Sequence, residues 1–186
     1  NSDTNSFRIS AVFTEKIDSS LLDEALRKAL SRFPTFCVKI KRGFFWYYFD
    51  HNYNKPIIKE ENCLVNDSVR LRRNNGFMFS LSYFEKRLTI EIFHALTDGT
   101  GGLEFFKCIC YYYLELKGVT INNGGEIINA DIEKSSLEYE DSFNINYDKE
   151  KHKSIKEDKA FHLKGTFYED NWCGLIHGFM DLEKLK

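Results

Sequence analysis

Two apolar runs separated by only two polar residues constrain this chain more than any other feature. Phe77 to Phe84 and Arg87 to Phe93 are rich in aromatic and β-branched residues, and only Glu85-Lys86 divides them. A connection this short favours an antiparallel hairpin. In the second run Leu88, Ile90 and Ile92 share one parity, so one face of that strand is apolar. A sheet with one apolar face needs other elements packed over it.

Two segments have the pattern to provide that cover. Leu21, Leu22, Ala25, Leu26, Ala29, Leu30 and Phe33 form a stripe at helical spacing. Asp18, Ser19 or Ser20 can cap its start, Arg27, Lys28 and Arg32 suit its negative end, and Pro34 stops it. A second helix is predicted at about 101–117, with Leu103, Phe106, Ile109, Cys110, Tyr113 and Leu114 inward. Thr100 is placed to cap it, Gly118 fits the left-handed position past its end, and Cys108 and Cys110 read as core thiols. Strands are expected at Phe7 to Thr14, Phe36 to Lys41 and Phe44 to Asp50, the last an aromatic run that reads as core or sheet packing. Residues 51–68 read as loop. The expected fold class is α/β in the two-layer α+β sense: a mixed, largely antiparallel sheet with two main helices.

With 42% hydrophobic and 16% aromatic residues, 186 residues suffice for a real core. The pattern divides into 1–118, a charged and glycine-bearing crossover linker at 119–158 expected to be partly mobile, and 159–186. In the last part β character returns at Ala160 to Lys164 and Trp172 to Phe179, and Asp181 stands as an N-cap before Leu182 and Leu185. These are the expected first strands and helix start of a truncated second half, whose missing cover predicts self-association through exposed apolar surface. A net charge of −2 gives no case for nucleic acid or for a membrane surface. The longest apolar run, Phe44 to Phe49, is far below the roughly 20 residues of a spanning helix. Five cysteines without a CxxC pair argue against a disulfide framework or zinc and for a reducing, cytoplasmic setting.

His94 continues the parity of Leu88, Ile90 and Ile92, so it is expected on the buried side of its strand. A core offers an imidazole little unless a partner or cavity lies beside it. Thr97-Asp98-Gly99 then turns the chain into the second helix. An Asp there can fix the turn by accepting backbone N–H groups, and Gly99, Gly101 and Gly102 permit positive φ and close approach. Metal binding by His94 and Asp98 needs a helix between them, and Asp98-Gly99 argues against one, so no metal is expected.

His94-Ala-Leu-Thr-Asp98-Gly99 resembles the HxxxDG signature of the CoA-dependent acyltransferase superfamily, which includes chloramphenicol acetyltransferase, carnitine acyltransferases and the condensation domains of peptide synthetases. The helix Ser20 to Phe33, the Arg-Phe-Pro at its end, the run Phe44 to Phe49 and Asn75-Gly76-Phe77 look closest to bacterial alcohol acetyltransferases. The likeness covers about 7–118 as an N-terminal half. It implies acyl transfer, acetyl by analogy, from CoA to a small alcohol or amine, with acyl-CoA as co-substrate and no tightly bound cofactor. It implies His94 as general base, Asp98 as a structural residue holding the motif loop through an arginine, and Gly99 as the residue that lets the turn form. The family often has two adjacent histidines. Here the first is Phe93, and His94 matches the catalytic one. Since the family's tunnel lies between two halves, this chain alone is expected to turn over nothing. The rival readings are a non-catalytic binding or scaffold module, and condensation from a carrier-protein thioester.

Overall fold

The computed structural model describes residues 6–61 and 74–129 continuously, and beyond them 132, 133, 135, 138, 140, 145–147, 159, 161, 162, 164, 165, 178 and 181–185. The chain divides into two compact units, Asn1–Glu140 and Asp141–Lys186. In the first, strand β1 (Ser6–Val12) leads to helix α1 (Ser19–Arg32), a 3-10 turn at Pro34–Phe36, and strands β2 (Val38–Arg42), β3 (Tyr47–His51) and β4 (Ile58–Glu60). Strands β5 (Phe79–Phe84) and β6 (Arg87–Phe93) follow, then helix α2 (Gly99–Leu116). In the second unit a short 3-10 turn spans Leu182–Leu185, and Asp181 accepts the backbone N–H of Glu183 as its cap. Of the β runs expected at 160–164 and 172–179, the described residues 161, 162, 164 and 178 form no strand, and the rest lie outside the described residues.

The predicted hairpin forms the centre of the sheet. β5 and β6 pair antiparallel from Phe79 opposite Ile92 to Phe84 opposite Arg87. Glu85, with φ of 51°, makes the tight turn. β1 pairs antiparallel along the other side of β6, and β4 runs parallel to β5, giving the order β1-β6-β5-β4. The sheet is therefore mixed and mainly antiparallel. β4 falls in a stretch read as loop, because three residues are too few to show a period.

Leu88, Ile90 and Ile92 are fully buried, as their parity requires. They join Leu22, Ala25, Leu26 and Ala29 of α1 and Phe105, Ile109 and Tyr113 of α2 in one core. At about 25 cal/mol per Å² of apolar area removed from water, burial of this kind is the main term favouring the fold. Asp18 caps α1, accepting the Ser20 backbone N–H at 3.0 Å. Gly118, at φ of 81°, ends α2, with the Val119 N–H donating to Leu114 O and the Gly118 N–H to Glu115 O. These are the paired bonds of a left-handed glycine terminus.

Two expectations need correction. The inward face of α2 carries Phe105, Cys108 and Tyr112 as well as Phe106, Ile109 and Tyr113, while Leu103 is exposed and Cys110 only half-buried. With an aromatic or aliphatic residue at nearly every position, sequence could not fix the rotation of this helix. Arg32 lies in the last turn of α1, as expected. It is buried, and donates to Asn129 O at 3.0 Å and to the Glu138 carboxylate at 2.7 and 2.9 Å. The aromatic run Phe44 to Phe49 is not core. It forms the turn and return strand of a separate two-stranded hairpin, β2 with β3, and all six side chains are exposed.

Candidate active site

The strand that delivers His94 stops one residue before it. β6 ends at Phe93, paired with Ser6, and the Leu96 N–H donates back to Phe93 O at 2.9 Å. This turn breaks the alternation, so His94 does not inherit the buried face of Ile92. Its side chain is exposed, contrary to the expectation from parity. The ring is nevertheless supported. Phe7 lies 5.2 Å from it, centroid to centroid, in an edge-on arrangement at 67°. Phe7 is the residue opposite Ile92 in the β1–β6 register, so the same pairing that builds the sheet delivers the ring to His94. Nothing local to the motif pointed to Phe7, because the contact spans nearly ninety residues of chain.

Asp98 is the N-cap of α2. Its carboxylate accepts the Gly101 N–H at 2.8 Å, and its carbonyl accepts the Gly102 N–H at 3.0 Å. The cap is thus Asp98 rather than Thr100, and the helix begins two residues earlier than predicted. The carboxylate uses a lone pair to satisfy a helix donor that would otherwise lack a partner, and its charge suits the positive helix end. Among the described residues Asp98 has no ion pair with an arginine.

The glycines divide differently from the expectation. Gly99 is the first helical residue, has no positive φ, and has open space where a side chain would go. The turn therefore does not depend on it. A Cβ on Gly101 would collide with Thr97 Oγ1. A Cβ on Gly102 would sit 2.8 Å from Phe7 Cζ and 2.9 Å from Ile92 Cδ1. It is Gly102 that lets the first turn of α2 settle against β1 and β6, beside the ring that supports His94.

Arrangement and chemistry fit together at this scale. An imidazole stands at the rim of the sheet, one ring edge against an apolar neighbour, with the adjoining loop fixed by a capped helix. Such a ring is reachable from solvent. A cavity lies between β1 and α2. It has a volume of about 370 Å³ and is bounded by Ile9 and Ala11 of β1, Phe106 and Cys110 of α2, and Ile121 and Ile127. Cys108 and Cys110 are poor nucleophiles, because burial pushes both thiols up to about 12. Among the described residues no helix is long and apolar enough to cross a membrane.

The chain has an α+β fold similar to part of condensation domains. It is similar to a mutant of the starter condensation domain of rhizomide synthetase RzmA, with TM-score 0.51 and 13% identity over 74% of this chain and 37% of that one. A complex of that domain's mutant with C8-CoA matches at TM-score 0.50 and 13% identity, over 63% of this chain and 32% of that one. SgcC5 from Streptomyces globisporus matches at TM-score 0.48 and 16% identity, over 63% and 31%. The chain thus spans about a third of the length of these structures. No family model and no curated protein sequence matches it.

Proposed function

We propose that this chain carries the general-base part of an acyltransferase that moves an acyl group, acetyl by the resemblance, from CoA to a small alcohol or amine. The observation that carries the reading is the His94 ring, exposed and braced edge-on by Phe7, between the end of β6 and the Asp98-capped start of α2. The complex of a fold neighbour with C8-CoA supports an acyl thioester as donor.

The acceptor O–H or N–H donates to the unprotonated nitrogen of His94. As the acceptor's lone pair attacks the thioester carbonyl carbon, its proton passes to the imidazole and the carbonyl oxygen takes up the negative charge. The adduct collapses, the C–S bond breaks, and the imidazolium returns the proton to the leaving CoA thiolate. Proton transfer of this kind contributes about 10²–10⁴-fold. Asp98 does no proton chemistry here. It holds the loop through the Gly101 N–H. Because the ring is exposed, the reading requires that substrates, or protein closing over them, displace the water around it.

The test is thiol release from acetyl-CoA with a panel of alcohols and amines, using the protein at its natural full length. His94→Ala is expected to lower the rate by about 10²–10⁴-fold with an unchanged circular dichroism spectrum. An unchanged rate overturns the mechanism. If the unaltered protein releases no thiol with any acceptor, the scaffold reading takes its place.

A further inference from the structure

A general base works only while its ring points at the proton it will take, so whatever holds the ring bears on the rate. The side chain of a histidine turns about two bonds, among several staggered directions. Among the described residues, the ring contact that restrains His94 is Phe7, at 5.2 Å between centroids and 67° between planes. Edge-on aromatic pairs of this kind attract, because the positive edge of one ring meets the negative face of the other.

Register explains why an aromatic residue suits position 7. Phe7 pairs with Ile92, and His94 lies two residues beyond it. That diagonal separation across two strands is within reach of an aromatic side chain, and a shorter aliphatic one falls short.

Phe7 is itself held at its far end. A Cβ on Gly102 would come within 2.8 Å of Phe7 Cζ and 2.9 Å of Cε2, so the backbone of α2 lies directly against the tip of the ring. The same turn of α2 is fixed by Asp98, whose carboxylate takes the Gly101 N–H and whose carbonyl takes the Gly102 N–H. The ring is thus wedged between a capped helix start and the imidazole, and close-packed groups transmit position. Resting on the reading of His94 as the base, we propose that Phe7 is its positioning residue, clamped by the bare backbone at Gly102 so that the imidazole keeps one direction. Asp98 then acts on His94 through the first turn of α2 and the Phe7 ring.

Kinetics and NMR of the full-length protein test this together. Phe7→Leu keeps an apolar side chain but loses the ring. Its kcat for thiol release should fall about three- to tenfold, with KM for acetyl-CoA unchanged. In the His94→Ala background the same change should have no further effect. With histidine isotope-labelled at Cε1, the His94 signal is the one lost in His94→Ala. It should move in Phe7→Leu, because the ring current of Phe7 is gone. Gly102→Ala, which displaces the ring from behind, should move the signal and lower kcat in the same way. Ile9→Ala is the control. It removes apolar bulk from the same face of β1, opposite Ile90 and further from His94, and should leave both readings alone. An unmoved signal, a full kcat in Phe7→Leu, a loss matched by Ile9→Ala, or an additional loss in the His94→Ala background overturns the positioning role. A rate unchanged by His94→Ala, or absent throughout, overturns the reading of the base instead, and the proposal with it.

Discussion

Gly99, Gly101 and Gly102 lie within one helical turn, yet the space around them differs. Gly99 has helical backbone and open surroundings, so alanine there only removes freedom from the unfolded chain. Gly99→Ala is expected to raise stability by about 0.5–1 kcal/mol. Gly102→Ala gains the same propensity but presses on Phe7 and Ile92, and overpacking of this sort typically costs about 1–3 kcal/mol. Urea unfolding should therefore move the two variants in opposite directions. Equal shifts would mean that α2 does not lie as close to β1 and β6 as described. The sequence marked all three glycines alike. The strand register, which brings Phe7 and Ile92 opposite one another, is what separates Gly102 from Gly99.

At the scale of elements, what was legible had a period and what was not had none. The β5–β6 hairpin and α1 were readable because alternation and the 3.6 spacing each pick out one face. α2 is apolar nearly all round, so its orientation comes from what packs on it. Its Tyr113 hydroxyl, for instance, accepts the Asp18 N–H at 2.8 Å. Arg32 was legible as a last-turn cation of α1, but its partners were not, because Glu138 and Asn129 lie about a hundred residues away in the chain. The pair is asymmetric: the Arg32 side chain is 1% exposed and that of Glu138 30%. Removing the partner of a buried charge costs more than removing the charge. Glu138→Ala is expected to destabilise by about 2–3 kcal/mol, and Arg32→Met by clearly less. Chemical denaturation of the two variants decides it. An equal loss from both would mean that Glu138 contributes no more than a surface ion pair.

For the molecule as a whole, the sheet's second face is as informative as its core. Arg8 on β1 pairs with Glu61 and, at 3.2 Å, with Glu91 on β6, while Arg87 donates to Glu61 at 2.9 Å. Ser10 and Thr89 hydrogen-bond at 3.0 Å in the same layer. The fold is thus apolar toward its helices and ionic on the reverse, a division that alternation in β1 and β6 encodes. Glu61 was not legible as its centre, because it follows the short β4. Burial pushes the Glu61 carboxyl up, but hydrogen bonds from Arg8 and Arg87, reinforced by their charges, outweigh it and hold the group below its ordinary value. A lowered carboxylate stabilises the fold above the unfolded pKa, about 4.3 for Glu, and loses that contribution as pH falls through the folded value. The stability difference between the native protein and Glu61→Gln should therefore stay level from about pH 7 to pH 5 and shrink steadily below about pH 4. Since one carboxylate joins three strands through two arginines, the same variant should also loosen β1 against β6, read as faster hydrogen exchange at the Phe7 and Ile9 amides. A pH-independent difference would mean that Glu61 acts by packing alone, and that the ionic face is decoration on a sheet held by its core.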